Sequence, residues 1–159
     1  MSGEIEADSC AGRLAKLGLV LPPVPAAAGN YAGFILAGNL LAVSGQLARR
    51  ANGSLLTGKV GSDLTLEQAQ EAAQLSALNI LAQVQAALGD LSRITHTLRL
   101  TGFVQATADY TDHPKVINGA SDLIAGVLGA AGVHTRAAIG AASLPLDSAT
   151  EIDALFVVA

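Results

Sequence analysis

The sequence predicts an α+β domain: a mixed β-sheet with two helices packed on one of its faces, in the order β-β-(short β)-α-β-α-β-β. Three observations carry that expectation. Apolar runs at 32–37 and 40–44 flank Gly38-Asn39, a dipeptide suited to a two-residue hairpin turn that needs positive φ. Thr65, with Gln68 three residues later, resembles a capping box that opens a long helix near Leu66. From Arg93 the period changes to two, with Ile94, His96, Leu98 and Leu100 alternating with Thr95, Thr97, Arg99 and Thr101, which is a strand continuing toward Val104.

In chain order, residues 5–19 form a short helical pattern with Ile5, Leu14, Leu17 and Leu19 apolar and Gly18 as its stop. Leu21-Pro-Pro-Val-Pro25 then forces extended chain, because proline fixes its own φ and restricts the residue before it. Residues 1–29 are therefore assigned as an appended helical and proline-rich segment, and 30–159 as the domain. After the hairpin, Asn52-Gly53 makes a turn and Gly58-Lys-Val-Gly61 a loop. In the long helix Ala69, Ala72, Ala73, Ser76, Ile80, Val84 and Ala87 recur at helical spacing, small enough to lie close against a sheet, and Gly89 ends it. Pro114 opens a second helix whose apolar face is Val116, Ile117, Ala120, Leu123, Ile124 and Val127, closed by Gly129 to Gly132. The C-terminus reads as two strands and a turn. Arg136 begins an apolar run that stops at Ser143-Leu-Pro145, Leu146-Asp-Ser-Ala149 supplies turn chemistry, and Glu151 opens a closing strand. On that strand Ile152, Ala154, Phe156 and Val158 share one face, while Glu151, Asp153, Leu155 and Val157 share the other. Placed so, Arg136 and Glu151 would meet across adjacent strands, an Arg fork matching a carboxylate bidentately.

Composition narrows the function classes. Hydrophobic residues make up 51% of the 159 and charged residues only 14%, against about a quarter charged in an average domain. The surplus implies a buried subunit interface. No uninterrupted apolar run approaches the roughly 18 residues of a membrane helix, and Met1-Ser-Gly-Glu-Ile-Glu carries acids where a secretory signal carries bases, so a cytoplasmic protein is expected. Cys10, the only cysteine, excludes an internal disulfide and a cysteine-based zinc site within one chain. A net charge of -4 without a basic cluster, with two Tyr, three Phe and no Trp, argues against nucleic acid as a partner.

Individually the polar candidates are weak. Tyr31 alone is more often a packing residue at a rim, and Ser44-Gly45-Gln46 more often a bulge or turn than a site where backbone meets a ligand. His96 reads as half-buried packing on its strand, and His113 and His134 as loop residues; no His spacing marks a metal site, and none is expected. No Gly-x-Ser-x-Gly elbow is present, and Gly126, Gly129 and Gly132 lie at a helix end rather than opening one.

A resemblance ties several of them together. Arg136-x-x-(apolar)-x-x-x-x-Leu-Pro followed by Glu151-(apolar)-Asp-Ala, the glutamate fifteen residues after the arginine, resembles the C-terminal signature of the RidA family, also called YjgF or L-PSP. Asn30-Tyr31 is similar to that family's N-terminal tyrosine motif, Val43-Ser44-Gly45-Gln46 to its Ser-Gly-Gln strand end, and Asn118 in Val-Ile-Asn-Gly to its helix-region asparagine. The likeness covers roughly 30–159. It implies a chorismate-mutase-like α+β fold assembled as a homotrimer, with sheets lining the centre and three clefts between neighbouring subunits. It further implies hydrolysis of reactive enamines and imines such as 2-aminoacrylate to a 2-oxo acid and ammonia. In that role Arg136 would clamp the substrate carboxylate and Glu151 position or deprotonate water. Backbone N–H groups near Gly45 and Ala138 would orient the substrate beside Ser44 and Asn118, and Tyr31 would close the cleft. No metal or organic cofactor is implied. Ala138 stands where many members carry a cysteine, which together with the N-terminal segment resembles a divergent subgroup. The alternatives are a non-catalytic trimeric binder of small carboxylate metabolites and the endoribonuclease activity ascribed to some relatives.

Overall fold

The computed structural model describes residues 8–27 and 29–159. Its elements are helix α1 (Cys10–Lys16), strands β1 (Phe34–Ala37) and β2 (Leu40–Leu47), helix α2 (Leu66–Leu88), strand β3 (Ile94–Gln105), helix α3 (His113–Leu128), and strands β4 (Thr135–Ala141) and β5 (Thr150–Val158). The strands form one sheet in the order β1-β2-β5-β3-β4, in which only β3 and β4 run parallel.

Local chemistry sets most boundaries. Gly38, at φ 61°, turns the β1-β2 hairpin. Thr65 Oγ1 accepts from the Gln68 N–H at 3.2 Å while Gln68 Oε1 accepts from the Thr65 N–H at 2.9 Å, so two N–H groups at the start of α2 are satisfied reciprocally. Gly89, left-handed at φ 77°, caps the other end. Helices α2 and α3 cover one face of the sheet, and their close approach depends on Gly119, where a Cβ would collide with the Gln70 carbonyl oxygen. Between the layers Leu41, Ile80, Leu100, Ile117, Ile152 and Phe156 are fully buried, each contributing about 1.5–3 kcal/mol.

The tertiary structure departs from the sequence expectations in specific places. Arg136 and Glu151 do not lie on adjacent strands. The α3 crossover places β4 parallel to β3 at the sheet's edge, as a parallel pair requires, and β5 returns antiparallel between β2 and β3. The link between them, residues 142–149, holds Leu146 and Asp147 at φ 55° and 60°. Buried Gln105 clasps that link, donating to Asp147 Oδ1 at 2.6 Å and accepting from the Leu144 N–H at 2.7 Å. Strand β3 does not alternate throughout. Register shifts between Ile94 and His96 and between Thr97 and Arg99 each insert a residue, so Ile94, Thr97 and Leu100 face the helices. His96 is consequently exposed rather than half-buried. The short third strand is reduced to isolated bridges, among them Arg49 with Leu55 and Thr57 with Ser148, in a segment broken by the left-handed glycines 53, 58 and 61. His113 is the first residue of α3, not a loop residue.

The N-terminal helix is confined to Cys10–Lys16; Ile5 lies outside the described residues. Helix α1 packs on α3, with Cys10 and Leu14 in the same core as the sheet and Arg13 Nε donating to the Val127 carbonyl at 2.8 Å. The sheet's other face has no helix over it. Ile35, Leu40 and Ile139 on that face are 61%, 42% and 45% exposed.

Candidate functional site

Glu151 opens β5 opposite Leu47 of β2 and Phe103 of β3, on the uncovered side of the sheet, since its neighbour Ile152 is buried beneath the helices. Beside it β2 bulges between Val43 and Gln46. Ser44 anchors the bulge, its N–H donating to the Gly33 carbonyl at 2.9 Å and its hydroxyl to the Ala32 carbonyl at 2.6 Å. Gln46 Nε2 closes it by donating to the Ser44 carbonyl at 2.9 Å. The Glu151 carboxylate fills the space over Gly45 that a side chain would occupy. Burial first, and the Asp153 charge second, push the Glu151 carboxyl above the ordinary carboxylate range. A cleft of about 320 Å³ adjoins it, lined in part by Tyr31, Arg49, Asn79, Gln83, Leu146 and Glu151. Tyr31, 56% exposed, stands at its mouth.

Arg136 sits elsewhere. It pairs with Leu100, so its side chain leaves the sheet on the helix side, and it extends along α3. Nη1 donates to Ser121 Oγ at 2.9 Å and Nη2 to the Pro114 carbonyl at 3.4 Å. Behind Ser121, His134 Nδ1 is 2.6 Å from the Gly132 carbonyl and Nε2 is 2.9 Å from Ser121 Oγ. A carbonyl only accepts, so Nδ1 carries the proton; in a neutral ring Nε2 then accepts from the Ser121 hydroxyl, whose lone pairs face the guanidinium. Asn118 is exposed and shares the α3 face of Pro114 and Ser121, at helical spacings of four and three. Ala138 lies two residues beyond Arg136 on the same side, half-buried opposite Gly102.

Within one chain the expected residues thus form two groups. Tyr31, Ser44, Gly45 and Glu151 gather around the β2 bulge; Asn118, Arg136 and Ala138 gather where β4 meets α3. The groups are separated by β3, three residues of register and opposite sides of the sheet, roughly 10 Å along each in-plane direction from strand spacing and rise. Among the described residues neither Arg136 nor Glu151 is in an ion pair, and no cluster of three His, Cys, Asp or Glu is placed to hold a metal. Sequence reasoning missed Ser121, His134, Asn79 and Gln83. The last two left no distinct trace, since Gln70 and Gln74 in the same helix are also four apart and only burial sets Asn79 and Gln83 apart.

The family model described as "YjgF/chorismate mutase-like, putative endoribonuclease" matches residues 11–157. The chain belongs to the YjgF/chorismate-mutase-like family. Its five-stranded mixed sheet under helices is that family's fold. Protein TCP17 of Trypanosoma cruzi is 44% identical over 146 residues, 91% of each chain. The crystal structure of Atu1372 from Agrobacterium tumefaciens, of unknown function, is 49% identical over 96% of each chain, with a TM-score of 0.89. TdcF of E. coli, solved with bound serine, is more distant at 26% identity and a TM-score of 0.62, over 86% of this chain and 94% of that one. The YjgF match begins within α1. No helix among the described residues of this YjgF-family chain is long and apolar enough to cross a membrane.

Proposed function

We propose that the protein is an enamine and imine deaminase, hydrolysing 2-aminoacrylate-like compounds to 2-oxo acids and ammonia. The observation that carries this reading is the state of Arg136. One edge of its guanidinium is held by Ser121 and Pro114, and no carboxylate of the described residues claims the rest. An arginine anchored from behind, with N–H groups left over, suits a bidentate clamp for a substrate carboxylate. The serine held by TdcF is an α-amino acid, and its carboxylate is the kind of group such a clamp takes.

Glu151 supplies the acid-base partner. Its raised pKa keeps a protonated fraction available nearer neutrality than an ordinary carboxylate would. As the acid it protonates the enamine methylene carbon to give the imine; as the carboxylate it takes a proton from water as the oxygen adds to C2. In the collapse of the resulting carbinolamine Glu151 protonates the amine, the C–N bond breaks to release ammonia, and the hydroxyl proton passes back to Glu151 as the carbonyl forms. An imine carbon is already electrophilic, so positioning and modest proton transfer suffice. Ser44, Gly45, Asn118 and the Ala138 backbone border the bound substrate, with Tyr31 over it.

Because Arg136 and Glu151 leave opposite sides of one sheet, the cleft combines Arg136 of one copy with Glu151 of another. The uncovered apolar face, with Ile35, Leu40 and Ile139, favours a homotrimer in which these faces meet. The endoribonuclease reading in the family description is less well supported, since a net charge of -4 gives RNA phosphates little to bind. The test measures ammonia and 2-oxo acid release from enzymatically generated 2-aminoacrylate. Wild type is expected to exceed the buffer rate and Arg136→Ala to lose that acceleration while keeping its melting temperature and oligomer size. Equal rates for wild type and buffer would reject catalysis, and melting shifts with 2-oxo acids would then favour a carboxylate binder.

A further inference from the structure

Gln83, on the α2 turn after Asn79, is 3% exposed, and its carboxamide has no hydrogen-bond partner among the described residues. It borders the same cleft as Glu151. Oε1, Cδ and Nε2 come within 2.7, 3.1 and 3.1 Å of the place a Cβ would take at Gly33, so a side chain there would push the amide aside. The amide atoms keep contact with the cleft space, so they are available to hydrogen-bond whatever enters it, water or ligand. Asn79 is tied in on one side only: both of its Nδ2 hydrogens are spent, on the Arg49 and Leu75 carbonyls at 2.8 Å each, which joins α2 to the segment after β2, while its buried Oδ1 has no partner among the described residues.

We propose that Gln83 sets the substrate specificity of the Glu151 cleft, selecting imines whose side chain ends in a neutral group that both donates and accepts a hydrogen bond, a primary carboxamide or a hydroxyl. The inference rests on the deaminase reading and names its substrate class. A side-chain carboxylate would satisfy only the Gln83 N–H₂ and would face Glu151 and the Asp153 charge behind it. An ammonium would satisfy only the carbonyl and leave the Gln83 N–H₂ unpaired. A carboxamide satisfies donor and acceptor together in a paired ring of two bonds. Pro145 and Leu146 on the cleft wall are apolar, suited to the methylene stem between that group and the imine carbon.

The imines of glutamine and methionine, generated in situ by an L-amino-acid oxidase, test this directly, since their side chains match in length and differ in the terminal group. Wild type is expected to favour the glutamine imine at least about tenfold in kcat/KM, because a site built to hydrogen-bond rejects the analogue that leaves its polar group unpaired. Gln83→Met should abolish or reverse the preference while retaining turnover of the methionine imine and an unreduced melting temperature. Equal rates for the two imines in wild type, or the same ratio in Gln83→Met, would overturn the specificity role and leave deamination standing. Failure of wild type to accelerate either imine would overturn the specificity role, and a wild-type rate on 2-aminoacrylate no faster than buffer would overturn the deaminase reading as well.

Discussion

Arg136 is held by a short chain of hydrogen bonds that runs one way, from the guanidinium through the Ser121 hydroxyl and the His134 ring to the Gly132 carbonyl. Each donor in it has one acceptor, which fixes the rotamer of a long side chain before any ligand arrives and lowers the entropy lost on binding. Glu151 is prepared differently, by partial burial under a bulge and by the nearby Asp153. Its raised pKa has a stability consequence. The folded state holds this proton more tightly than the unfolded chain, so the group's contribution to stability is intact below the unfolded carboxylate pKa of about 4.3 and falls as pH rises through the folded value. Glu151→Gln should therefore melt higher than wild type at pH 7, with the difference shrinking toward pH 4, while losing deaminase activity; calorimetry across that range reads it. A variant less stable than wild type at pH 7 would instead make the carboxylate a structural anchor. Ser121 carries no signature of its own in sequence, whereas Arg136 was legible through its spacing to Glu151.

At the scale of elements, the β2 bulge matters most. It brings Ser44 and Gly45 under Glu151 and leaves no room for a side chain at position 45. Gly45 is not among the glycines at positive φ, so alanine is compatible with its backbone and a substitution probes space alone. Gly45→Ala should displace the carboxylate and lower kcat on the order of 100-fold, as a misplacement near 1 Å does, with a melting temperature reduced by only a few degrees. Unchanged kcat would show that Glu151 need not sit over the bulge. Elements specified by adjacent residues were readable: the Thr65 capping box, the Gly38 turn, the α3 face and Gly89 all act within a few positions. The two bulges of β3 were not, because an inserted residue is defined by the partner strand, and Ile94-Thr95-His96-Thr97-Leu98 satisfies a period of two or three equally well on paper.

At the scale of the molecule, one chain carries the Arg136 and Glu151 groups on opposite sides of a sheet, and the proposed trimer would build each cleft from neighbouring copies. Mixing refolded Arg136→Ala with Glu151→Ala, each inactive alone, should recover activity toward about a quarter of wild type in randomly mixed trimers, since one cleft in four pairs the intact Arg136 of one copy with the intact Glu151 of the next. No recovery, despite mixed trimers by native mass spectrometry, would require both residues to act from one chain. The fold class and the two covering helices with their caps and faces follow from periodicity and spacing along the chain, and the family from motifs that resemble its own. Only the tertiary structure decided that β3 separates β4 from β5, that Arg136 turns to Ser121 and away from Glu151, and that Gln83 lies unpaired beside the cleft. Those facts depend on strand order and on which side of the sheet a residue leaves, and both are settled by long-range pairing that neighbouring residues do not encode.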